Sequence, residues 1–204
     1  GEDDTAKTEH YDVLLTAMVM RLRQLFRDDS LPFLNVQLPM WIAAGDEDKH
    51  DWARLRLAQA RAASALQPGG LAILLDCGEF DNIHPTDKRT PGERLCDVAL
   101  RVVYGMDAPE SPRALGKYTQ GDTLVVTLSA PVLRRETGEL LLEIAGEDGA
   151  YHPVQSVTLD GAEMRLRSVA VLHPTKVRYA YVNWGKVALF GRNGLPLAPF
   201  AFEG

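Results

Sequence analysis

The chain has 204 residues, of which 46% are apolar and 25% are charged, and its formal net charge at pH 7 is -6. This composition is typical of a globular protein and excludes disorder as the main state. The negative charge and the lack of a clustered Lys/Arg run argue against a nucleic-acid surface, and no apolar run is long enough to span a bilayer.

The first half of the sequence alternates helical periodicity with short apolar runs. Strong helical spacing predicts helices over residues 5–27, 51–66 and 88–104, and apolar runs predict buried strands over 32–38 and 71–75. Alternating helices and strands indicate parallel strands joined by right-handed crossovers, which is α/β architecture. A doubly wound sheet normally has more than two strands, so the remaining strands are expected outside this sequence.

The residue composition and the periodicity of the sequence change after Gly105. Residues 106–112 hold two prolines and few apolar side chains, which marks a boundary between a first domain, 1–106, and a second, 113–204. Short runs rich in β-branched and aromatic residues follow, separated by turn signals, and they predict a small antiparallel β module. The runs are 123–128, 140–144, 154–159, 163–171 and 177–184.

An acid and an imidazole follow the second predicted strand, in the segment Asp81-Asn82-Ile83-His84-Pro85. Open α/β sheets keep their sites beyond the carboxyl ends of strands. With a pKa of about 6.5, a histidine can take a proton from a hydroxyl and return it to a leaving group, and it works best when a carboxylate fixes its tautomer. The spacing alone also fits a solvated loop in which Asp81 caps a turn.

Trp41 lies in the loop after the first predicted strand. An exposed indole there suits stacking on the apolar face of a sugar, and a ring packed beneath the loop is an equally good reading. The two cysteines, Cys77 and Cys96, are too few for a disulfide framework. No C-x-x-C or H-E-x-x-H pattern is present, so neither a metal nor a cofactor is predicted.

Three segments together resemble the sialate O-acetylesterase family of SGNH-type carbohydrate esterases. They are G-E-F-D-N-I-H-P-T-D-K-R-T-P-G-E-R-L, L-P-F-L-N-V-Q-L-P, and V-R-Y-A-Y-V-N-W followed by G-L-P-L-A-P-F. The resemblance implies the back half of a flavodoxin-like, three-layer α/β/α hydrolase domain followed by the β module. It assigns His84 as general base and then acid of a Ser-His-Asp triad, with Asp81 as the acid that orients it.

The sequence departs from that family pattern at the nucleophile. The family's serine lies in an early G-Q-S-N-M-like block, which this sequence lacks, and none of the six serines here follows a glycine-rich strand-to-helix turn. Gly1-Glu2-Asp3-Asp4 resembles the tail of the next family segment, which helps form the oxyanion hole, so Glu2 is expected to buttress that hole. The resemblance implies an acetylated carbohydrate substrate, a secreted, periplasmic or lysosomal location, and a serine supplied by the N-terminal part of the hydrolase domain.

Two alternatives to an acetylesterase stay open. The chain is either a non-catalytic carbohydrate-binding or interaction fragment of the same fold, or a product of proteolytic processing that stays associated with its N-terminal partner. The missing nucleophile favours the first of these. An exposed sheet edge and apolar face would be unusual for an independent module.

Overall fold

The computed structural model of the protein describes residues 1–203, and the chain divides into two compact units, Gly1–Glu110 and Ser111–Gly204. The boundary falls within the segment 106–112. Within the described residues, none of the helices has the length and apolar character that a membrane span requires.

The first unit has a mixed α/β architecture. A 3-10 helix precedes three α-helices and two strands, in the order 3-10 helix (Glu2–His10), α1 (Tyr11–Phe26), β1 (Phe33–Val36), α2 (Asp51–Ala65), β2 (Gly69–Ala72) and α3 (Arg89–Val102). Strands β1 and β2 pair in parallel with Phe33 opposite Gly69, and α2 is the crossover between them. Parallel strands require such a crossover, so the predicted alternation of elements is confirmed.

Packing on the strand pair depends on a glycine of β2. A Cβ added at Gly70 would lie 2.4 Å from Cγ1 of Val98, a buried residue of α3. Helix α3 therefore approaches the strand more closely than any side chain at residue 70 would allow.

The predicted helix over 5–27 is divided in the structure. The α-helix begins at Tyr11, and Lys7 has non-helical torsion angles (φ -133°, ψ 38°) within the preceding 3-10 segment. Helix α1 ends at Arg27 in the left-handed region. The Arg23 guanidinium, which is buried, donates to the carbonyl oxygens of Leu31, Gln67 and Pro68 at 3.0 to 3.1 Å, and so anchors α1 to the segments that precede both strands.

The first strand is shorter and less buried than its sequence predicts. All four residues of β1 are half-buried, because β2 is its one partner within residues 1–203. The buried strand predicted over 32–38 is observed as a shorter strand over 33–36 whose residues are half-buried. The burial predicted for the run 71–75 agrees with the structure for residues 72–75, which are buried, although regular strand pairing ends at Ala72.

The second unit is antiparallel β structure. Its described residues form two four-stranded sheets, ordered β3-β4-β9-β8 and β12-β10-β6-β7, and a pair β11-β5. The strands are β3 (Ala114–Gln120), β4 (Thr123–Leu128), β5 (Val132–Arg134), β6 (Leu142–Ala145), β7 (His152–Pro153), β8 (Ser156–Asp160), β9 (Glu163–Arg167), β10 (Lys176–Tyr179), β11 (Leu189–Gly191) and β12 (Phe200–Phe202). Each predicted run overlaps a strand, but the runs at 163–171 and 177–184 continue past the observed strand ends.

Candidate functional site

Two loops leave the same end of the strand pair. Because β1 and β2 are parallel, the first loop (residues 37–50) and the second loop (residues 73–88) both follow carboxyl ends of strands. This is the edge at which open α/β sheets bind their ligands. The first loop carries Trp41, and the second carries Asp81 and His84.

The two loops touch through their main chains at Gly78. A Cβ built on Gly78 would lie 1.9 Å from the carbonyl oxygen of Met40, so any side chain there would displace one loop. Met40 is fully buried, which leaves the first loop little room to move away. The site therefore requires glycine at this position for close backbone approach.

Asp81 adds two hydrogen bonds between the same loops. Its amide donates to the Ile42 carbonyl at 3.1 Å, and its Oδ1 accepts from the Ala44 amide at 2.8 Å. The backbone of Asp81 is in the left-handed region (φ 59°), which aspartate tolerates better than most residues. Within residues 1–203, no hydrogen bond or ion pair joins the Asp81 carboxylate to the His84 imidazole.

His84 is exposed, and its loop is braced from within. The carboxylate of Glu79 accepts from the Thr86 amide, the Thr86 hydroxyl and Nδ2 of Asn82, each at 2.6 Å. Oδ1 of Asn82 in turn accepts from the His84 amide at 3.1 Å. These bonds hold the pKa of Glu79 below its usual range, with the Thr86 hydroxyl as the largest cause. This role of Glu79 was not predicted from the sequence.

An arginine fork fixes the start of the second loop. Arg94 of α3 donates to both carboxylate oxygens of Asp76 at 2.6 and 2.8 Å, and to the Ile73 carbonyl at 2.7 Å. Burial lowers the pKa of Arg94, but its hydrogen bond and ion pair with Asp76 oppose this, and the pKa is raised overall. Bidentate pairing of this kind sets geometry as well as energy.

Cys77 lies beside this ion pair. Burial raises the pKa of its thiol to about 12, and the neighbouring Asp76 carboxylate adds to the effect. A thiol with so high a pKa is a poor nucleophile. Cys77 is half-buried, and its thiol lies 3.7 Å from Oδ1 of Asp76.

Trp41 packs within the first unit. Its ring centroid lies 5.0 Å from that of the buried Trp52, whose indole nitrogen donates to the Pro39 carbonyl at 2.6 Å. Trp41 itself is half-buried, and its Nε1 is buried without a hydrogen-bond partner in the described part of the chain. The ring's contact with Trp52 fits the reading in which Trp41 packs beneath its loop, and a role in the pocket stays a prediction.

A buried cation lies beneath the first loop. Arg56 of α2 is fully buried, and its main-chain carbonyl accepts from Nε2 of Gln37 at 3.3 Å. Burial lowers the pKa of Arg56 to about 9, while the Asp48 carboxylate of the first loop acts in the opposite direction.

Neither Glu2 nor a serine makes a hydrogen bond or ion pair with His84 within residues 1–203. Glu2 is exposed on the 3-10 helix, and no hydrogen bond or ion pair links it to Asp81, His84 or Trp41 within residues 1–203. In the same range no serine hydroxyl bonds to His84: Ser30 bonds to Asp28, and Ser129 accepts from the Arg113 amide. The described residues also contain no cluster of metal-binding side chains.

A groove of about 820 Å³ lies between the 3-10 helix and the start of α2. It is lined by residues 5–10, Leu14, Lys49, Asp51 and Arg54. Asp81, His84 and Trp41 are not among these lining residues.

The chain is similar over its whole length to a carbohydrate acetylesterase from Xanthomonas citri. The crystal structure of that protein matches with a TM-score of 0.91 and 32% sequence identity. The present chain spans 49% of the length of that protein. No family model and no curated protein matches the chain. The likeness to the acetylesterase agrees with the mixed α/β fold predicted from the sequence.

Proposed function

We propose that this chain forms part of a carbohydrate O-acetylesterase in which His84 is the general base and acid. The observation that carries this proposal is the likeness over the whole chain, at 32% identity, to an enzyme described as a carbohydrate acetylesterase. An exposed histidine at the carboxyl edge of parallel strands, in a loop braced by Glu79, supports the same reading. The finer proposal, from the sequence resemblance, is an enzyme of the SGNH type with activity like that of a sialate 9-O-acetylesterase.

The reaction needs a serine from a segment outside this chain. His84 takes the proton from the serine hydroxyl as its oxygen attacks the acetyl carbonyl carbon, which gives a tetrahedral intermediate. The imidazolium then protonates the sugar oxygen as the ester bond breaks. His84 next activates a water that attacks the acyl-serine, and acetate leaves as the serine recovers its proton.

Asp81 has two tasks in this scheme. Its Oδ1 accepts from the Ala44 amide, which leaves Oδ2 to accept from the His84 ring and hold the imidazole in the productive tautomer. Glu2 is proposed to support the oxyanion hole, and Trp41 to border the sugar site. The role of Glu2 follows from the sequence resemblance, and the role of Trp41 follows from its place on the first loop.

Hydrolysis of O-acetylated sugars tests the proposed function. We expect the chain alone to show only the background rate. Co-expression with the part of the Xanthomonas citri enzyme outside the matched half should restore hydrolysis, and His84→Ala should lower the restored rate at least about a thousandfold. His173→Ala, at an exposed loop histidine, is the matched control and should change little. Comparison of 9-O-acetylated sialic acid with acetylated xylose tests the sugar preference.

A non-catalytic carbohydrate-binding fragment is the second candidate. It is favoured by the finding that no serine hydroxyl makes a hydrogen bond with His84 within residues 1–203. Binding of a de-acetylated glycan by the chain alone, unchanged in His84→Ala, would support this alternative. Hydrolysis by the chain alone that is lost in His84→Ala would instead show that the nucleophile lies within this sequence.

A further inference from the structure

The outward face of the sheet β12-β10-β6-β7, in the second unit, carries an arginine between two tyrosine rings. In β10, Val177 and Tyr179 are buried on one face, so Arg178, which lies between them, points to the other. The Arg178 guanidinium lies 4.1 Å from the ring centroid of Tyr151 and 4.6 Å from that of Tyr181. Contacts between a guanidinium and aromatic rings are attractive, so they hold the three side chains in place. We call Tyr151, Arg178 and Tyr181 the tyrosine cluster.

The backbone is strained where it brings Tyr181 to this cluster. Tyr181 follows Arg178 by three residues, and in a regular strand the two side chains would point to opposite faces. Ala180 lies between them in the left-handed region (φ 53°), and its amide donates to the Leu141 carbonyl at 2.9 Å. This region is unfavourable for alanine, and residues held in such conformations are concentrated at functional sites, including those that bind ligands.

Two carboxylates bind to members of the cluster. Oε2 of Glu143, which lies opposite Arg178 in β6, accepts from Nε of Arg178 at 2.7 Å. The Tyr151 hydroxyl donates to Oε2 of Glu203 at 3.1 Å. Burial raises the pKa of Tyr151 to about 12, so this hydroxyl stays protonated at neutral pH. The side chains of Arg178 and Glu143 are 16% and 27% exposed, so a ligand in solution can reach both.

The charges of this face balance, which favours an uncharged ligand. Lys176 and Arg178, two residues apart in β10, contribute two positive charges, and Glu143 and Glu203 contribute two negative charges. A sugar has apolar C–H faces that can lie against tyrosine rings, and its hydroxyl groups can donate to a carboxylate and accept from a guanidinium. Ala201, which lies opposite Arg178 in β12, carries only a methyl group beside the cluster.

We propose that the tyrosine cluster binds uncharged sugar units of a polysaccharide. A protein partner fits less well, because a stable protein interface takes roughly 20 to 30 residues a side. The inference rests on the proposed function in one respect, since the polysaccharide bound here would be the one that carries the acetyl esters. A second contact with the same polymer raises the effective concentration of its esters at the catalytic site. The cluster should therefore matter for polymers and not for small esters.

Calorimetric titration of the whole chain tests the site directly. The ligands are xylohexaose and cellohexaose, which are uncharged, and hexagalacturonate, which is an anion. The variants are Tyr181→Ala, which removes one ring, and Arg178→Lys, which keeps a charge for Glu143 and removes the planar guanidinium. Tyr118→Ala is the matched control, because Tyr118 lies on the other four-stranded sheet, is 38% exposed and also donates to a carboxylate. Thermal unfolding checks that each variant is folded.

We expect the chain to bind at least one of the uncharged hexasaccharides. Tyr181→Ala and Arg178→Lys should each lose at least about tenfold in affinity, and Tyr118→Ala should bind as the wild type does. No binding, or binding that either cluster variant leaves unchanged, would overturn the proposal. Binding of hexagalacturonate alone would overturn it as well, in favour of an anionic ligand.

Catalysis separates this site from the proposed function. In the enzyme assembled with the remainder of the Xanthomonas citri protein, Tyr181→Ala should raise the KM for acetylated xylan at least about threefold and leave the hydrolysis of 4-nitrophenyl acetate unchanged. An equal KM for the polymer in wild type and variant would overturn the role given to the site. Glycan binding by an assembly that hydrolyses neither ester would contradict the proposed function and leave the glycan site supported. Binding by the chain alone is compatible with both candidate functions, and hydrolysis by the assembled enzyme decides between them.

Discussion

The Asp81 carboxylate accepts a hydrogen bond from the Ala44 amide at 2.8 Å, and so connects the loop that carries His84 with the loop that carries Trp41. The residue proposed to orient the histidine thus also joins the two loops. Substitutions at this position can separate these tasks.

Asp81→Asn should leave the fold intact and impair the reaction. Asparagine retains an oxygen for the Ala44 amide and tolerates the left-handed backbone, so the free energy of unfolding should stay within about 0.5 kcal/mol of wild type. The missing charge should still reduce hydrolysis by the assembled enzyme at least about a hundredfold. Denaturant unfolding and acetylesterase rates measure the two effects.

Asp81→Ala should destabilise the chain by about 1 to 2 kcal/mol, since it combines a lost acceptor with an unfavourable left-handed alanine. Asp81→Gly separates the two causes, because glycine adopts that backbone without strain. Because glycine also loses more conformational entropy on folding, an alanine variant more stable than the glycine variant by about 0.5 to 1 kcal/mol would show that the left-handed backbone contributes nothing. Wild-type activity in Asp81→Asn would remove Asp81 from the mechanism.

Low pH should loosen the second loop through Glu79. The pKa of this carboxyl lies below its usual value of 4.5, so its bonds to Thr86 and Asn82 persist above that value and are lost as the pH falls through the lower one. We expect the Thr86 amide resonance to stay constant from about pH 7 to about pH 5 and to shift only below the usual glutamate pKa. Glu79→Gln should remove this titration, and Glu93→Gln, at an exposed α3 residue, should leave it unchanged.

Gly78→Ala should disturb the site, because its methyl group would lie 1.9 Å from the Met40 carbonyl oxygen. We expect a destabilisation of about 2 kcal/mol or more, with chemical-shift changes in both loops. Gly92→Ala is the control, since a Cβ there meets no atom within 4 Å and the residue lies in α3. That change should raise the free energy of unfolding by about 0.5 to 1 kcal/mol. Similar changes in the free energy of unfolding for Gly78→Ala and Gly92→Ala would show that the two loops can move apart at Gly78 without cost.

Arg94→Ala should lower the free energy of unfolding by roughly 2 kcal/mol, because it leaves Asp76 and the Ile73 carbonyl without their shared donor. The Arg94 side chain is only 11% exposed, so solvent screens this pair little. Arg89→Ala removes the exposed pair with Glu93, which solvent screens, and should change the free energy of unfolding much less. Urea unfolding of the two variants compares them directly, and an equal loss would assign no special role to the fork.

Local sequence patterns predicted where the helices and strands lie, but they did not predict what packs against each element. The alternation of apolar runs and helical spacing placed β1, β2, α2 and α3, because each pattern reports one element's own periodicity. Periodicity shows which side of α1 is apolar and says nothing of what covers it, so the exposure of Leu14 and Leu25 needed the structure. The spacing of apolar residues also gave no indication of the break in the helix at Lys7.

In the candidate site, too, some features could be predicted from the local sequence and others depend on the fold. The position of His84 after a parallel strand could be read from the sequence. The partner of Asp81 could not, since Ala44 is 37 residues away in the sequence and only the fold brings its amide to Oδ1 of Asp81. Glu79 was missed because its acceptor role depends on the path of residues 79–86 in space.

The brace around Glu79 uses donors from residues 79–86 alone. The same segment also depends on the first loop, because the Asp81 amide donates to Ile42 and the Asp81 carboxylate accepts from Ala44. A graft into an unrelated scaffold would therefore have to carry residues 42–44 together with residues 79–86 to keep the imidazole in the same pose.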